Sequence, residues 1–240
     1  MPSQGVCYQK QLEKRGPRGE AVSVSDAIKR VKEMASVRAD RSYKNGKKRK
    51  ALDQTVEMVV HLGIDPKQAD QMVRGSISLP KGTGQTQRVI AFCDGDLADQ
   101  AKEAGAIEAG GDELVKKITD GWTDFDVAIA HPQMMGKVGK LGRLLGPQGK
   151  MPSPKSGTVT PEVLEAVKEF GAGKMEYRND DGGNIHLRVG KVSFSDQDLQ
   201  ENIEALIRYL EKVKPSATKG TYMKSAHLSA QQTPSVRLAV

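Results

Sequence analysis

Few residues in this sequence have the type and spacing that covalent, metal or nucleotide chemistry needs. Cys7 and Cys93 are the two thiols, and no Cys-x-x-Cys occurs, so neither a disulfide framework nor a thiolate metal site is expected. The four histidines, His61, His131, His186 and His227, stand far apart and form no His-Glu-x-x-His, so no metal is expected. The glycine-rich run Gly82-Thr83-Gly84-Gln85-Thr86-Gln87 lacks the third glycine of a dinucleotide fingerprint and precedes an apolar run where it should follow one. No Gly-x-x-x-x-Gly-Lys-Ser/Thr and no Gly-x-Ser-x-Gly is present, and the Asp180-Asp181 pair sits in a turn sequence. These residues predict no catalytic centre and no cofactor.

Charge is the chemistry that remains. The chain has 240 residues, a net charge of +7 and only 4% aromatics. The excess is concentrated. Residues 1–50 carry 14 basic and 5 acidic side chains, residues 131–157 carry 5 and none, and residues 212–240 carry 5 and none. Residues 83–130 are the reverse, with 4 basic and 10 acidic, and are expected to face away from a polyanion. The densest run, Lys44, Lys47, Lys48, Arg49 and Lys50, suits sequence-tolerant phosphate contact from a solvated loop. With so few aromatics, base stacking cannot dominate, and a folded RNA held by phosphate, 2′-hydroxyl and polar contacts fits better. No zinc-finger or RNP spacing is present. No apolar run approaches the roughly 20 residues that span a bilayer, and the first residues lack a signal-peptide core, so a cytoplasmic chain is expected, without a membrane partner and monomeric when free.

The elements that must position these residues follow from periodicity. Residues 25–36 read as a helix with Ser25 as cap and Ala27, Ile28, Val31, Met34 and Ala35 as its apolar stripe. Residues 55–62 and 73–79 read as strands. Residues 88–93 and 126–130 are continuous apolar strands separated by helical segments 97–104 and 112–119, the pattern of a parallel βαβ unit buried on both faces. A further helix covers 161–170, a hairpin is expected between 174–178 and 184–189, the longest amphipathic helix runs over 195–212, and 219–229 and 235–240 close the chain as strands. Two Pro/Gly-rich joints, 80–84 and 151–157, punctuate the order. They suggest a segment inserted into a domain built from both ends, with Pro80, Gly82, Gly84, Pro152, Pro154 and Gly157 as hinge residues.

Residues 135–159 are unusual, with glycine every three or four positions, five cations and no acid. On composition alone they read as a mobile loop. Within them, Leu141-Gly142-Arg143-Leu144-Leu145-Gly146-Pro147 and Met151-Pro152-Ser153-Pro154-Lys155-Ser156-Gly157-Thr158-Val159 resemble the signature of the bacterial-type ribosomal protein L1 family. Further matches occur in order along the chain: Leu62-Gly63-Ile64-Asp65-Pro66, Val73-Arg74-Gly75, Asp120-Gly121-Trp122, Glu176-Tyr177-Arg178-Asn179-Asp180, Val189-Gly190-Lys191, Lys219-Gly220-Thr221-Tyr222 and Pro234-Ser235-Val236-Arg237.

The resemblance implies a two-domain α/β (α+β) protein. Domain I would be discontinuous, residues 1–82 and 157–240, with an antiparallel sheet and helices, and would be the RNA binder. Domain II, residues 83–156, would be an inserted Rossmann-like unit without a nucleotide. The family implies a structural constituent of the large ribosomal subunit that binds 23S-type rRNA at the mobile stalk. It also implies assistance in releasing deacylated E-site tRNA and repression of the protein's own operon mRNA. Carried over position by position, the RNA-binding residues would be Thr55, Glu57, Lys174, Glu176, Arg178, His186, Lys191, Ser225, Gln231, Gln232 and Thr233. Taken alone, Thr55 and Glu57 would read as ordinary strand alternation and the lysines as surface charge. The chain departs from the family at Gln231-Gln232-Thr233, which often reads Thr-Met-Gly, at Leu52, which is often phenylalanine, and in the basic stretch 41–50. The competing readings are a nucleotide-dependent α/β enzyme and a general basic nucleic-acid chaperone.

Overall fold

A computed structural model describes residues 6–39, 52–68 and 70–240; the basic run Lys44–Lys50 lies outside the described residues. In chain order the elements begin with α1 (Val6–Arg15), β1 (Ala21–Val22), α2 (Val24–Ala39), β2 (Thr55–Leu62), β3 (Arg74–Ile77), β4 (Val89–Phe92), α3 (Asp96–Glu103), β5 (Glu108–Gly110), α4 (Asp112–Thr119) and β6 (Val127–Ala130). They continue with α5 (Met135–Val138), α6 (Gly142–Leu145), α7 (Val163–Gly171), β7 (Met175–Arg178), β8 (Asn184–Lys191), α8 (Asp196–Lys212), β9 (Met223–Ala230) and β10 (Val236–Leu238). The chain is mixed α/β and divides into two compact units. One gathers the described residues within 1–73, 79–84 and 178–240, and the other 74–78 and 85–177.

The first unit is a five-stranded mixed sheet in the order β1-β10-β9-β2-β8. Strict alternation in β2 sends Val56, Met58, Val60 and Leu62 to the interior, each at most 1% exposed. Each such side chain contributes at most about 1.5–3 kcal/mol by leaving water. α2 covers β9 and β10 with Ala27, Ile28, Val31 and Met34, and α8 packs on β8. The α2 cap is Ser23, two residues before the expected one: its Oγ accepts from the Asp26 amide at 3.2 Å. At α8, Ser195 Oγ accepts from the Asp198 amide and donates to the Asp198 carboxylate, which fixes the helix start.

The second unit has a three-stranded parallel sheet, β5-β4-β6. All four residues of β4 are buried, as a strand covered on both faces requires. Phe92, Leu114, Ile118, Phe125 and Met134 fill one face; Val89, Ala91, Ala101, Ile129, Val167 and Phe170 fill the other. The latter group explains where the boundary falls. α7 gives its whole apolar stripe to β4 and β6, so residues 157–177 group with the inserted unit, although the expected boundary at 156/157 put them with the outer one.

Two expectations of local structure are corrected, and the residues of the second joint are placed. The glycine-rich stretch is structured: Val138, Leu141 and Leu145 recur at helical spacing and are buried, so 135–145 folds as short helical turns with its cations outward. The hairpin is absent as a ladder. β7 pairs with β3, anchored by the Arg74–Glu176 ion pair at 2.6 Å, while β8 pairs with β2, and the two arms meet at the turn through the bridge Asn179–Ile185 and the bonds between Asp180 and Asn184. Residues 151–157 are pinned inside the second unit: Thr158 Oγ1 accepts from the Ser153 amide at 2.8 Å, and Val159 bridges Ala130. Pro152, Pro154 and Gly157 therefore stand away from the return crossing, which falls between Tyr177 and Arg178. Pro80, Gly82 and Gly84 belong to the first unit, next to the crossing at 84/85. No helix among the described residues is long and apolar enough to cross a membrane.

Candidate nucleic-acid interface

The first unit's sheet has two different faces because its strands alternate. The apolar face carries the helices. The other face presents polar residues in register. Thr55 lies opposite Lys191. Glu57 lies between Arg188 on β8 and Ser229 on β9. Val59 lies between His186 and His227, and His227 is followed by Arg237 on β10. His61 lies between Asn184 and Ser225. With strands about 4.8 Å apart, the rows place hydroxyls, imidazoles, a carboxylate and guanidinium groups at intervals that suit riboses and phosphates.

Local structure holds this grid. The β2–β8 register shifts between Val56 and Glu57, so Val56 faces Gly190 and Glu57 faces Arg188. Gly190 is required there, since a Cβ would lie 2.9 Å from Leu199 Cδ2 and 3.0 Å from the Phe194 ring. At the far end Asp180 accepts from the Gly182 and Asn184 amides and from the Asn184 side chain. These bonds hold its carboxyl down at about 2. His186 Nε2 lies 3.5 Å from Asp180, and His61 Nδ1 lies 2.9 Å from Asn184 Oδ1.

The structure divides the expected residues. Thr55, Glu57, His186, Lys191 and Ser225 share the open face. Gln231, Gln232 and Thr233 follow β9 in a turn that pairs with the start of β2: the Gln231 amide donates to Thr55 O and the Gln232 amide to Gln54 Oε1. Thr233 Oγ1 accepts from the Ala230 amide at 2.9 Å and turns back on the Ala230 carbonyl, so this hydroxyl is engaged in the turn itself. Arg178 is an exposed residue of the first unit at the end of β7. Lys174 and Glu176 belong to the second unit and are paired there, with Glu169 at 2.6 Å and with Arg74.

Sequence reasoning did not single out Arg188, Ser229 and Arg237 on this face and left His61 and His227 as structural or RNA-facing residues; the period-2 pattern was visible, but the register that aligns them was not. It also missed Gln11, a buried amide of α1 that donates to Met34 O and Gln232 O and so supports the turn.

The second unit offers a poor place for phosphate. At the carboxyl end of β4, where a doubly wound sheet would bind a nucleotide, the chain presents Asp94 and Asp96. Cys93 is buried, and burial together with the nearby Asp94 pushes its thiol up, away from nucleophilic use. Among the described residues no group of three or more His, Cys, Asp or Glu could hold a metal ion. Comparison with protein families gives a match between residues 20–234 and the model described as the Ribosomal protein L1p/L10e family.

Proposed function

The chain belongs to the ribosomal protein L1p/L10e family, a family of large-subunit ribosomal proteins that bind rRNA and are not enzymes, and from that premise we propose that the open face of the five-stranded sheet is its RNA-binding surface. The supporting observation is the asymmetry of that sheet: one face is apolar and covered, and the other carries registered polar and cationic rows around Glu57. Lys191, His186 and Arg188 would hold phosphates, Thr55 and Ser225 would bond riboses, and Glu57 would accept from a 2′-hydroxyl or a base amino group. Gln231 and Gln232 extend the surface beyond β9, each able to donate and accept. Arg178 adds a phosphate contact. Lys174 and Glu176, carried over from the family resemblance, lie in the second unit, paired with Glu169 and Arg74.

In this reading the RNA is the mobile stalk of the large subunit. The protein assists release of deacylated tRNA from the E site and represses its own mRNA through a similar RNA structure.

Crosslinking the protein to a large-subunit rRNA transcript tests the surface. Crosslinks should fall at β2, β8, β9 and the 231–233 turn, and the stalk transcript should resist excess unrelated RNA at moderate salt. Crosslinks confined to residues 85–177, or equal competition by any RNA, would overturn the reading.

A further inference from the structure

A cleft lies at the edge of the same sheet remote from β8. It encloses about 450 Å³ and is lined by the loop between α1 and β1, by β9 and by β10. Five cations reach it, Arg15, Arg18, Arg30, Lys224 and Arg237, together with Ser225 and His227. The one lining carboxylate, Glu20, is taken up by Arg30 at 3.1 Å. Arg30 is also anchored on the Arg15 carbonyl at 2.9 Å. Arg15, Arg18, Lys224 and Arg237 have no carboxylate partner among the described residues.

The loop is shaped to present these groups. Gly16 and Gly19 both take positive φ, at 82° and 89°, and bracket Pro17-Arg18. At Gly16 the positive φ favours glycine, and a Cβ there would also lie 2.8 Å from Arg30 Nη1 and displace that guanidinium. β1 then pairs parallel with β10, Ala21 against Arg237, which fixes the loop beside the strand. Four cations gathered without a carboxylate partner around one concavity repel one another, and an anion there relieves that repulsion.

We propose that this cleft is a phosphate subsite for the RNA backbone, a second anchor for the strand that lies across the open face. The proposal rests on the sheet-face reading above. Arg237 and His227 stand in the same row as Val59 and His186, so the cleft continues the grid without a break. From β8 to β10 is three strand spacings, roughly 14 Å, a span that a continuous backbone covers with successive phosphates.

The test is salt-dependent binding of a stalk-region rRNA transcript to wild-type protein, to the double variant Arg18→Ala/Arg237→Ala, to Arg18→Lys/Arg237→Lys and to Arg208→Ala. Arg208 is exposed on α8 and paired with Glu204 at 3.3 Å, away from the cleft. The alanine pair should weaken binding about tenfold at 0.15 M salt and flatten the log–log salt slope by about 1–2. The lysine pair should restore most of the slope, and Arg208→Ala should change neither quantity. An unchanged slope for the alanine pair, with intact melting behaviour and tight wild-type binding, overturns the cleft alone. Failure of wild type to prefer the stalk transcript overturns the sheet-face reading instead. A titration with inorganic phosphate at constant ionic strength separates the sources. Submillimolar saturation at His227, without any slope change for the alanine pair, would mean a free-phosphate site and overturn the proposal.

Discussion

Removing the Asn202 side chain should loosen the segment 79–84 more than its modest size suggests. Asn202 sits on α8, fully buried, in the middle of an apolar stripe. Its Oδ1 accepts from the Lys81 amide at 3.0 Å, and its Nδ2 donates to Gly82 O at 3.0 Å and to Val189 O at 2.8 Å. One side chain therefore ties the glycine-rich joint, α8 and β8 together. In Asn202→Ala the Val189 carbonyl is left buried and unpaired, which costs about 1–3 kcal/mol, and the two part-buried groups at Lys81 and Gly82 lose about 0.5–1 kcal/mol each as water replaces the amide. The total is about 3 kcal/mol. With a urea dependence of roughly 1–3 kcal/mol per molar, the midpoint for unfolding of the first unit should fall by about 1–3 M. Hydrogen exchange gives a sharper readout, since the Lys81 amide should lose protection while the β4 amides of the other unit keep theirs. A midpoint within about 0.2 M of wild type, or unchanged Lys81 protection, would refute the reasoning.

Other outcomes can be checked in parallel. Glu57→Gln should weaken stalk-RNA binding by about tenfold or more, as loss of one specific polar contact does, with no change in melting temperature; equal binding would remove Glu57 from the surface. Gly190→Ala should destabilise the first unit by about 1–3 kcal/mol through overpacking against Leu199 and Phe194, read by urea unfolding. Burial, and then the Arg237 charge, hold His227 below its usual range. The other charged groups lining its cleft are Arg15, Arg18, Arg30, Lys224 and Glu20. A lowered folded value means the native state resists protonation, so His227 works against stability as pH falls below 6.5. An RNA phosphate reverses the sign, so RNA affinity should rise as pH drops from 7 towards 5.5, and the NMR midpoint of His227 should move up in Arg237→Ala. Asp180, held at about 2 against an ordinary 3.8, should stay ionised with its turn intact at pH 3.5, and its contribution to stability should fall away as pH drops from about 3.8 through about 2; loss of Gly182 and Asn184 amide protection at pH 3.5 would contradict this.

The sequence was legible wherever a period met a matching chemistry. The alternation of β2 predicted Thr55 and Glu57 on one solvent face, and Leu199, Ile203, Leu206 and Leu210 predicted α8. The missed elements lack such a signal: β1 is two residues, β5 is Glu108–Gly110 with no apolar run, and the buried residue of α1 is a glutamine. The Asp180–Gly183 turn looked like a hairpin tip because turn chemistry is local. Strand pairing is not local, and the apolar partner offered by β2 and the charge partner offered by Arg74 draw the two arms into different sheets. The candidate residues could be named one by one from the family resemblance, yet the row that joins Arg237 to His186 depends on register, which no single strand encodes.

The order of the five-stranded sheet also sets a timetable. Its central partnership joins β2 to β9, and the segment between them contains the whole second unit. During synthesis that unit is complete once residue 177 has emerged, whereas β2 must wait for residues 223–230 before its open edge is covered. At roughly 5–20 residues per second, the gap lasts on the order of seconds, with an apolar strand face exposed. The polar rows come into register only when β9 and β10 slot between β1 and β2. On the proposed reading, a nascent chain therefore completes the RNA face only after β9 and β10 are in place, and a partly made copy lacks the full set of polar rows.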